Sequence, residues 1–283
     1  MTPITGRCHI RINMNADVIS DSEPDYSEDG YAKPLGRAAD LDALVRENIE
    51  TFIERYRQKA LDMTGNPYYL NADIAKEIFV EYSASSKDRT RNSVIVQAAS
   101  TRIKEAAFHV LLEQSSGDAG EELVFMAGGT GAGKSTLAPS SGFVYDGNLA
   151  SIRGARRKID AALAFGRRVK IIYVYRDPFS AYLDGVLPRA LRYGRIVPSD
   201  VHVSTHVGAF ITFKALRRYY KKTLDVTLIG FAPPGPPPDI SVLKAQLDDA
   251  IRQELDQGRI SMQMASQMLQ SGRSAETLPA NLG

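Results

Sequence analysis

Lys134 and Ser135 close the stretch FMAGGTGAGKST (Phe125 to Thr136), in which glycine occupies positions 128, 129, 131 and 133. Clustered glycine carries an entropic cost, so it marks a backbone that must turn sharply or approach something closely. Gly128, Gly133, Lys134 and Ser135 fit the spacing G-x-x-x-x-G-K-[ST]. In such a loop backbone N–H groups cradle phosphates, the lysine reaches the outer phosphates and the hydroxyl ligates magnesium. The residues lining a nucleotide's phosphates would be Gly128, Gly129, Thr130, Gly131, Ala132, Gly133, Lys134, Ser135 and Thr136. The competing reading is a glycine-rich turn with an incidental lysine. Context favours the loop, because the apolar run EELVFMA (Glu121 to Ala127) leads into it and KSTLA can open a helix facing the phosphates.

Phosphoryl chemistry needs further groups. Asp146 ends the apolar stretch GFVYD, where an acid at a strand tip can hold magnesium directly or through water. Asp-Gly is also a turn dipeptide, and both roles can hold together. Asp73 in LNADIAK is either the base that takes a proton from an acceptor hydroxyl or the N-cap of the following helix. Lys76, one turn on, either steers an acidic substrate or is simply solvated. LPRALRYGRIVPSDVHVSTH carries Arg189, Arg192 and Arg195, with Gly194 ending a helix before the last of them. Arginines on a mobile segment can clamp a transferring phosphoryl group, whose charge is spread over several oxygens; the alternative is a basic surface helix. His202 and His206 have no evident third metal ligand and read as packing or substrate-edge residues.

The elements that must position these groups follow from patterning. Short apolar runs YYLNA, ELVFMA, GFVYD, VKIIYVY and DVTLIGF alternate with helix-length periodic stretches, which predicts a doubly wound parallel sheet of about five strands. Ligands in such sheets bind beyond the carboxyl ends of the strands, where Asp73, the glycine loop and Asp146 all fall. Arg37 to Met63 has helical apolar spacing and predicts one amphipathic helix. Residues 1–36, with the acidic run DSEPDYSEDG, read as a disordered or loosely attached arm. APPGPPPD (Ala232 to Asp239) is an extended connector, followed by a helical tail in which Met262, Met264 and Met268 read as packing or weak partner contacts. The expected division is an arm (1–36), an amphipathic helix (37–64), a nucleotide-binding domain (65–232), and a connector with tail (233–283).

Composition narrows the classes. The 283 residues are 43% hydrophobic and 24% charged with a net charge of +2, as for a globular protein with no whole-molecule attraction to nucleic acid or anionic membrane. No apolar run approaches the roughly 20 residues of a membrane span, and the N-terminus lacks a signal peptide's apolar segment, so a cytoplasmic location is expected. Cys8 is the only cysteine, which excludes an internal disulfide.

With these residues assembled, the chain from about Tyr68 to Phe231 resembles the zeta-toxin family of P-loop kinases. The resemblance is carried by GGTGAGKST, by FVYDGNLAS with ARRKIDAALAFGRRVKIIYVYRDP, and by RALRYGRIVPSDVHVSTHVGA. The best-described members of that family phosphorylate the 3′-hydroxyl of UDP-N-acetylglucosamine with ATP and magnesium. The resemblance implies a P-loop kinase-like fold, ATP and Mg2+ as requirements, and a lid whose two phosphate-engaging arginines match Arg189 and Arg195. In the family the catalytic aspartate and its basic neighbour follow the P-loop. Here only LAPSSG lies between the loop's helix and FVYDGN, and YLNADIAKEIF, upstream of the loop, looks like the missing segment, with Asp73 as the base and Lys76 where an arginine is usual.

The expected roles are therefore Lys134, Arg189, Arg195 and Asp73 in catalysis, Lys76 at the substrate, and Ser135 with Asp146 at the metal. The expected activity is ATP-dependent phosphorylation of a nucleotide-sugar hydroxyl, as the toxin of a toxin–antitoxin pair, held in check by a small antitoxin or in cis by residues 37–63. The contrasting expectation is a nucleotide-binding regulatory module or an NTPase without a small-molecule acceptor.

Overall fold

The computed structural model describes residues 36–114, 122–221, 223–230 and 239–269. The expected N-terminal arm and the prolines of the connector lie outside them. All five anticipated strands form: β1 (Tyr69–Leu70), β2 (Glu122–Ala127), β3 (Phe143–Asp146), β4 (Arg168–Val174) and β5 (Asp225–Ile229). They make one all-parallel sheet in the order β1-β3-β2-β4-β5, giving an α/β, P-loop kinase-like fold. β2 and β3 are apolar on consecutive positions because both faces are covered, as a central parallel strand requires.

Spatial order departs from chain order on one side of the sheet. β1 pairs with β3, Tyr69 opposite Val144 and Leu70 opposite Tyr145, although the whole of β2 lies between them in sequence. The connection from β1 to β2 is α3 (Ala72–Lys76), α4 (Val80–Ser83) and the long α5 (Ser86–Glu113). α5 lays Ile103, Phe108 and Leu111 into the core, where Phe108 meets Phe125 and Tyr145 edge to face at 6.1 and 5.3 Å. Because neighbours in a sheet need not be neighbours in the chain, a segment preceding the glycine loop arrives beside the strand that follows it.

The single amphipathic helix expected over 37–63 is two: α1 (Arg37–Glu47) and α2 (Ile49–Thr64), broken at Asn48 with φ −123° and ψ 31°. Asn is a poor helix former that satisfies backbone groups locally, and its Nδ2 donates to Leu44 O at 3.0 Å. α2 buries Phe52, Ile53, Tyr56 and Ala60 in the same core as the sheet. The Tyr56 hydroxyl donates to Tyr69 O and accepts from Asn71 N, both at 2.7 Å, pinning the end of β1.

After β2, α6 (Lys134–Leu137) is one turn long. It stops because Ala138 precedes Pro139 and takes an extended conformation, as residues before proline do. α7 (Ile152–Ala164) links β3 to β4. Beyond β4 the chain forms α8 (Pro178–Ala181), a π-helical turn (Tyr182–Val186), α9 (Leu187–Tyr193) and α10 (Ser199–Tyr220). The tail helices α11 (Ile240–Asp256) and α12 (Met262–Leu269) bury Leu243, Leu247, Ile251, Ala265 and Met268 against Tyr182, Val186, Leu187, Val203 and Val207. Met268 is therefore a packing residue. The tail forms a second core beneath the α8–α9 segment.

Candidate active site

The glycine loop runs from the end of β2 into α6. Its glycines make room for protein as well as for any ligand. A Cβ at Gly129 would stand 2.1 Å from the His206 ring, and Gly131 holds φ +73° where a Cβ would meet Ala181 O at 2.4 Å. Lys134 Nζ donates to the carbonyls of Gly128 and Gly129, each at 2.8 Å, and to Asn148 Oδ1 at 3.1 Å. The same Asn148 accepts from Gly128 N through its backbone carbonyl. Asn148 thus organises the lysine and the first residue of the loop.

Ser135 Oγ donates to Asp146 Oδ2 at 3.0 Å. That oxygen also accepts from the Tyr69 hydroxyl at 2.7 Å and from Asn71 Nδ2 at 2.8 Å. Asp146 is 4% exposed at the tip of β3, so its work is more than turning the chain. Burial first, and then the Asp146 charge, push the Tyr69 phenol well above its ordinary pKa, which keeps it a donor. A hydroxyl beside a carboxylate at the phosphate loop is the donor set that Mg2+ takes, a hard ion held by few protein oxygens with water and phosphate completing its shell. Among the described residues no group of three or more His, Cys, Asp or Glu is placed to hold a metal ion by itself.

Asp73 sits in the first turn of α3. The cap of that helix is Asn71, whose Oδ1 accepts from Asp73 N at 2.7 Å, so the N-cap role considered for Asp73 belongs to its neighbour. The Asp73 side chain is 49% exposed and faces Lys76 Nζ at 3.4 Å. Crowding by the surrounding atoms works to raise its pKa. The charges of Lys76, Arg195 and Arg189, in that order, outweigh this and hold the carboxylate below its ordinary value. Lys76 is buried, which removes the solvated reading.

Of the three arginines in the α9 segment, Arg189 and Arg195 approach Asp73, while Arg192 is exposed and lies over the Tyr193 ring. The π-helical turn sets Arg189. Pro188 has no N–H for the Asp184 carbonyl and its ring crowds it, so the turn just ahead widens and Leu187 N reaches back to Tyr182 O. In the widened turn Gly185 O accepts from Arg189 Nε at 2.8 Å. A Cβ at Gly185 would stand 2.8 Å from Gly131 O, so this turn lies directly against the glycine loop. Arg195 Nη2 donates to Glu77 Oε1 at 2.6 Å.

α10 braces the loop from behind. His202 Nε2 donates to Pro178 O at 2.7 Å, since a carbonyl can only accept, and its Nδ1 accepts from the Thr130 hydroxyl at 2.6 Å. His206 Nε2 donates to Thr130 O at 2.8 Å, and Thr205 Oγ1 accepts from Thr130 N at 3.3 Å. Burial is the main cause that lowers the histidines to about 4 for His202 and about 3 for His206, so both are neutral at pH 7. They are loop supports, the packing alternative of the two considered.

The strand tips, the glycine loop and the paired arginines now converge on one edge of the sheet. Residues 140–230 match the family model described as Zeta toxin. No curated protein matches the chain. The zeta-toxin match covers Asp146, Arg189, Arg195 and α10. It begins after the glycine loop and after the Asp73 segment.

Four residues that organise the site were not singled out in the sequence: Asn71, Glu77, Asn148 and Thr205. Asn71 carried a signal, as Asn one residue before an Ala-Asp helix start is a typical cap. Asn148 follows a turn dipeptide and had none.

Proposed function

We propose that this protein is a zeta-toxin-like kinase that transfers the γ-phosphoryl group of ATP to a hydroxyl of a nucleotide sugar of the UDP-N-acetylglucosamine type. The observation that carries this reading is Asn71. Its Oδ1 caps the helix bearing Asp73 at 2.7 Å, and its Nδ2 binds Asp146 at 2.8 Å, which in turn accepts from Ser135 of the glycine loop at 3.0 Å. One side chain therefore links the candidate base to the phosphate loop.

In this reading Lys134 exchanges its bonds to the Gly128 and Gly129 carbonyls for oxygens of the β- and γ-phosphates, and the loop amides hold the phosphate chain. Asp73, ionised at neutral pH, accepts the proton of the acceptor hydroxyl as that oxygen attacks the γ-phosphorus and the bond to the β-phosphate oxygen breaks. Arg189 and Arg195 neutralise charge on the moving phosphoryl group, and Lys76 faces the acceptor beside Asp73. Ser135 and Asp146 would hold magnesium, which when bound would neutralise charge on the phosphate oxygens. Positioning and electrostatics supply the rate, with no covalent enzyme intermediate. The apolar face of α2 is committed to the core, which favours a separate antitoxin-type partner over residues 37–63 as the restraint on activity.

The test is transfer from γ-labelled ATP, with magnesium, to UDP-N-acetylglucosamine and a panel of other nucleotide sugars and nucleotides, with Lys134→Ala as control. Labelled product that vanishes in the control supports the reading. ATP binding without product across the panel overturns the nucleotide-sugar assignment and turns attention to a regulatory module.

A further inference from the structure

Glu77 has no part in the roles assigned above, yet three elements distant in the chain meet on it. Its side chain is 7% exposed at the C-terminal end of α3, one turn beyond Asp73. Arg89, in the first turn of α5, grips it with a fork: Nε to Oε1 at 3.1 Å and Nη2 to Oε2 at 2.9 Å. Arg195 arrives from the lid and donates to Oε1 at 2.6 Å. The end of the lid is seated at the same place, with Thr90 Oγ1 donating to Gly194 O at 3.1 Å and a Cβ at Gly194 only 1.9 Å from Ser86 O.

Joining α3 to α5 needs only the Arg89 fork. A second guanidinium on the same buried carboxylate adds desolvation without adding to that joint, so its use lies with Arg195. An arginine side chain left to itself samples many rotamers and must be ordered before it can meet a phosphate. We propose that Glu77 is a positioning residue for phosphoryl transfer, holding the Arg195 guanidinium beside Asp73 with one N–H committed to the carboxylate and its other donors left for phosphate oxygens. Arg89 anchors the carboxylate, so Arg195 is drawn to a fixed point and Glu77 does not follow a moving lid. This role rests on the kinase reading above.

The experiment is a double-mutant cycle on the full chain with Glu77→Gln, Arg195→Ala and the pair. The readouts are kcat, KM for ATP, and the preference for ATP over ADP in calorimetric binding with magnesium. Glu77→Gln should lower kcat about 10- to 100-fold, as misplacement of a charged group by about an ångström does, with KM for ATP changed by less than about threefold. The pair should be no slower than Arg195→Ala alone, because both changes remove one interaction. Glu77→Asp, which keeps the charge, should recover part of the loss. A merely structural Glu77 would instead multiply its loss with that of Arg195→Ala and weaken ATP and ADP equally. That result, or an unchanged kcat, overturns the proposal. If Glu77→Gln does not fold, Arg89→Lys keeps the charge but not the fork and enters the same cycle. A wild-type chain that binds ATP but phosphorylates no acceptor overturns the kinase reading. The cycle is then read from the ATP-over-ADP preference, where an effect of Arg195→Ala that Glu77→Gln fails to reproduce overturns the positioning role.

Discussion

From behind, the glycine loop is braced by uncharged groups of α10, whereas the junction of the Arg195 segment with α3 and α5 is gripped by ions. Behind the loop, neutral His202 and His206 and Thr205 bind Thr130, and the glycines allow carbonyl and ring contacts that any side chain would block. At the junction, Glu77 lies between Arg89 and Arg195 while Asp73 pairs with Lys76. A site for a phosphate chain must keep its geometry as charge arrives, and neutral hydrogen bonds and close packing do not rearrange in response to that charge. In the kinase reading, the junction must present charge to the transferring group, and ion pairs hold guanidinium groups in place while leaving some of their donors for phosphate oxygens. The two regions should therefore fail under different insults.

The largest difference should come from chemistry. Asp73→Asn removes the proposed proton acceptor and should lower phosphoryl transfer by about 10²- to 10⁴-fold while leaving ATP affinity nearly intact. Transfer at the wild-type rate would remove Asp73 from the mechanism. In the loop the reverse is expected. Gly129→Ala places a Cβ 2.1 Å from the His206 ring, and should cost on the order of 1–3 kcal/mol of stability and weaken ATP binding, read by urea unfolding and calorimetry.

Acid should separate the two regions next. His202 and His206 have folded pKa values of about 4 and 3, below the ordinary 6.5, so between those limits the unfolded chain binds protons that the folded chain refuses. Their stabilisation is complete above about pH 6.5 and declines by a few kcal/mol as pH falls towards 4. At Glu77 burial raises the pKa but hydrogen bonds from Arg89 and Arg195 more than offset it, and the lowered value means that stability from this group is lost only below about its ordinary 4.5. Unfolding free energies from pH 7 to 4 should fall first with the histidine dependence, and His202→Asn should flatten the slope between 6.5 and 5. An unaltered slope would assign the acid sensitivity elsewhere.

Salt should act in the opposite place and more weakly. Raising ionic strength from about 0.05 to 0.5 M should speed amide hydrogen exchange around Gly194 and Arg195 by less than about 1 kcal/mol of opening energy, and leave Gly128 to Thr130 unchanged. The smallest effect is expected at Arg192, which rests on Tyr193 away from Asp73. Arg192→Ala should change kcat by less than about twofold, against a large loss for Arg189→Ala.

Much of the fold was legible because its signals are local. All five strands announced themselves as short apolar runs, whereas the widened turn ahead of Pro188 emerged only in the structure. The break at Asn48 was missed because apolar spacing continues through it, and periodicity reports the buried face rather than the continuity of the helix. The candidate site was legible where residue type and spacing suffice, as at Lys134, Ser135 and Asp146. Glu77, Asn71, Asn148 and Thr205 were less so, since each acts through a partner distant in the chain, and nothing in the spacing of Glu77 and Arg195 says that they touch.

What the sequence determined by itself was the phosphate loop, the parallel α/β sheet and the list of charged residues able to do chemistry, because glycine spacing, apolar runs and residue type act over a few positions. Which of those charges would meet was decided by tertiary structure alone. Asn71, which caps the helix bearing Asp73, reaches Asp146 because β1 pairs with β3 across an intervening strand, and Arg195 comes near Asp73 because its segment docks on α3 and α5. Strand neighbours and helix docking are chosen by the burial of the whole core, and that choice is not written at any single position.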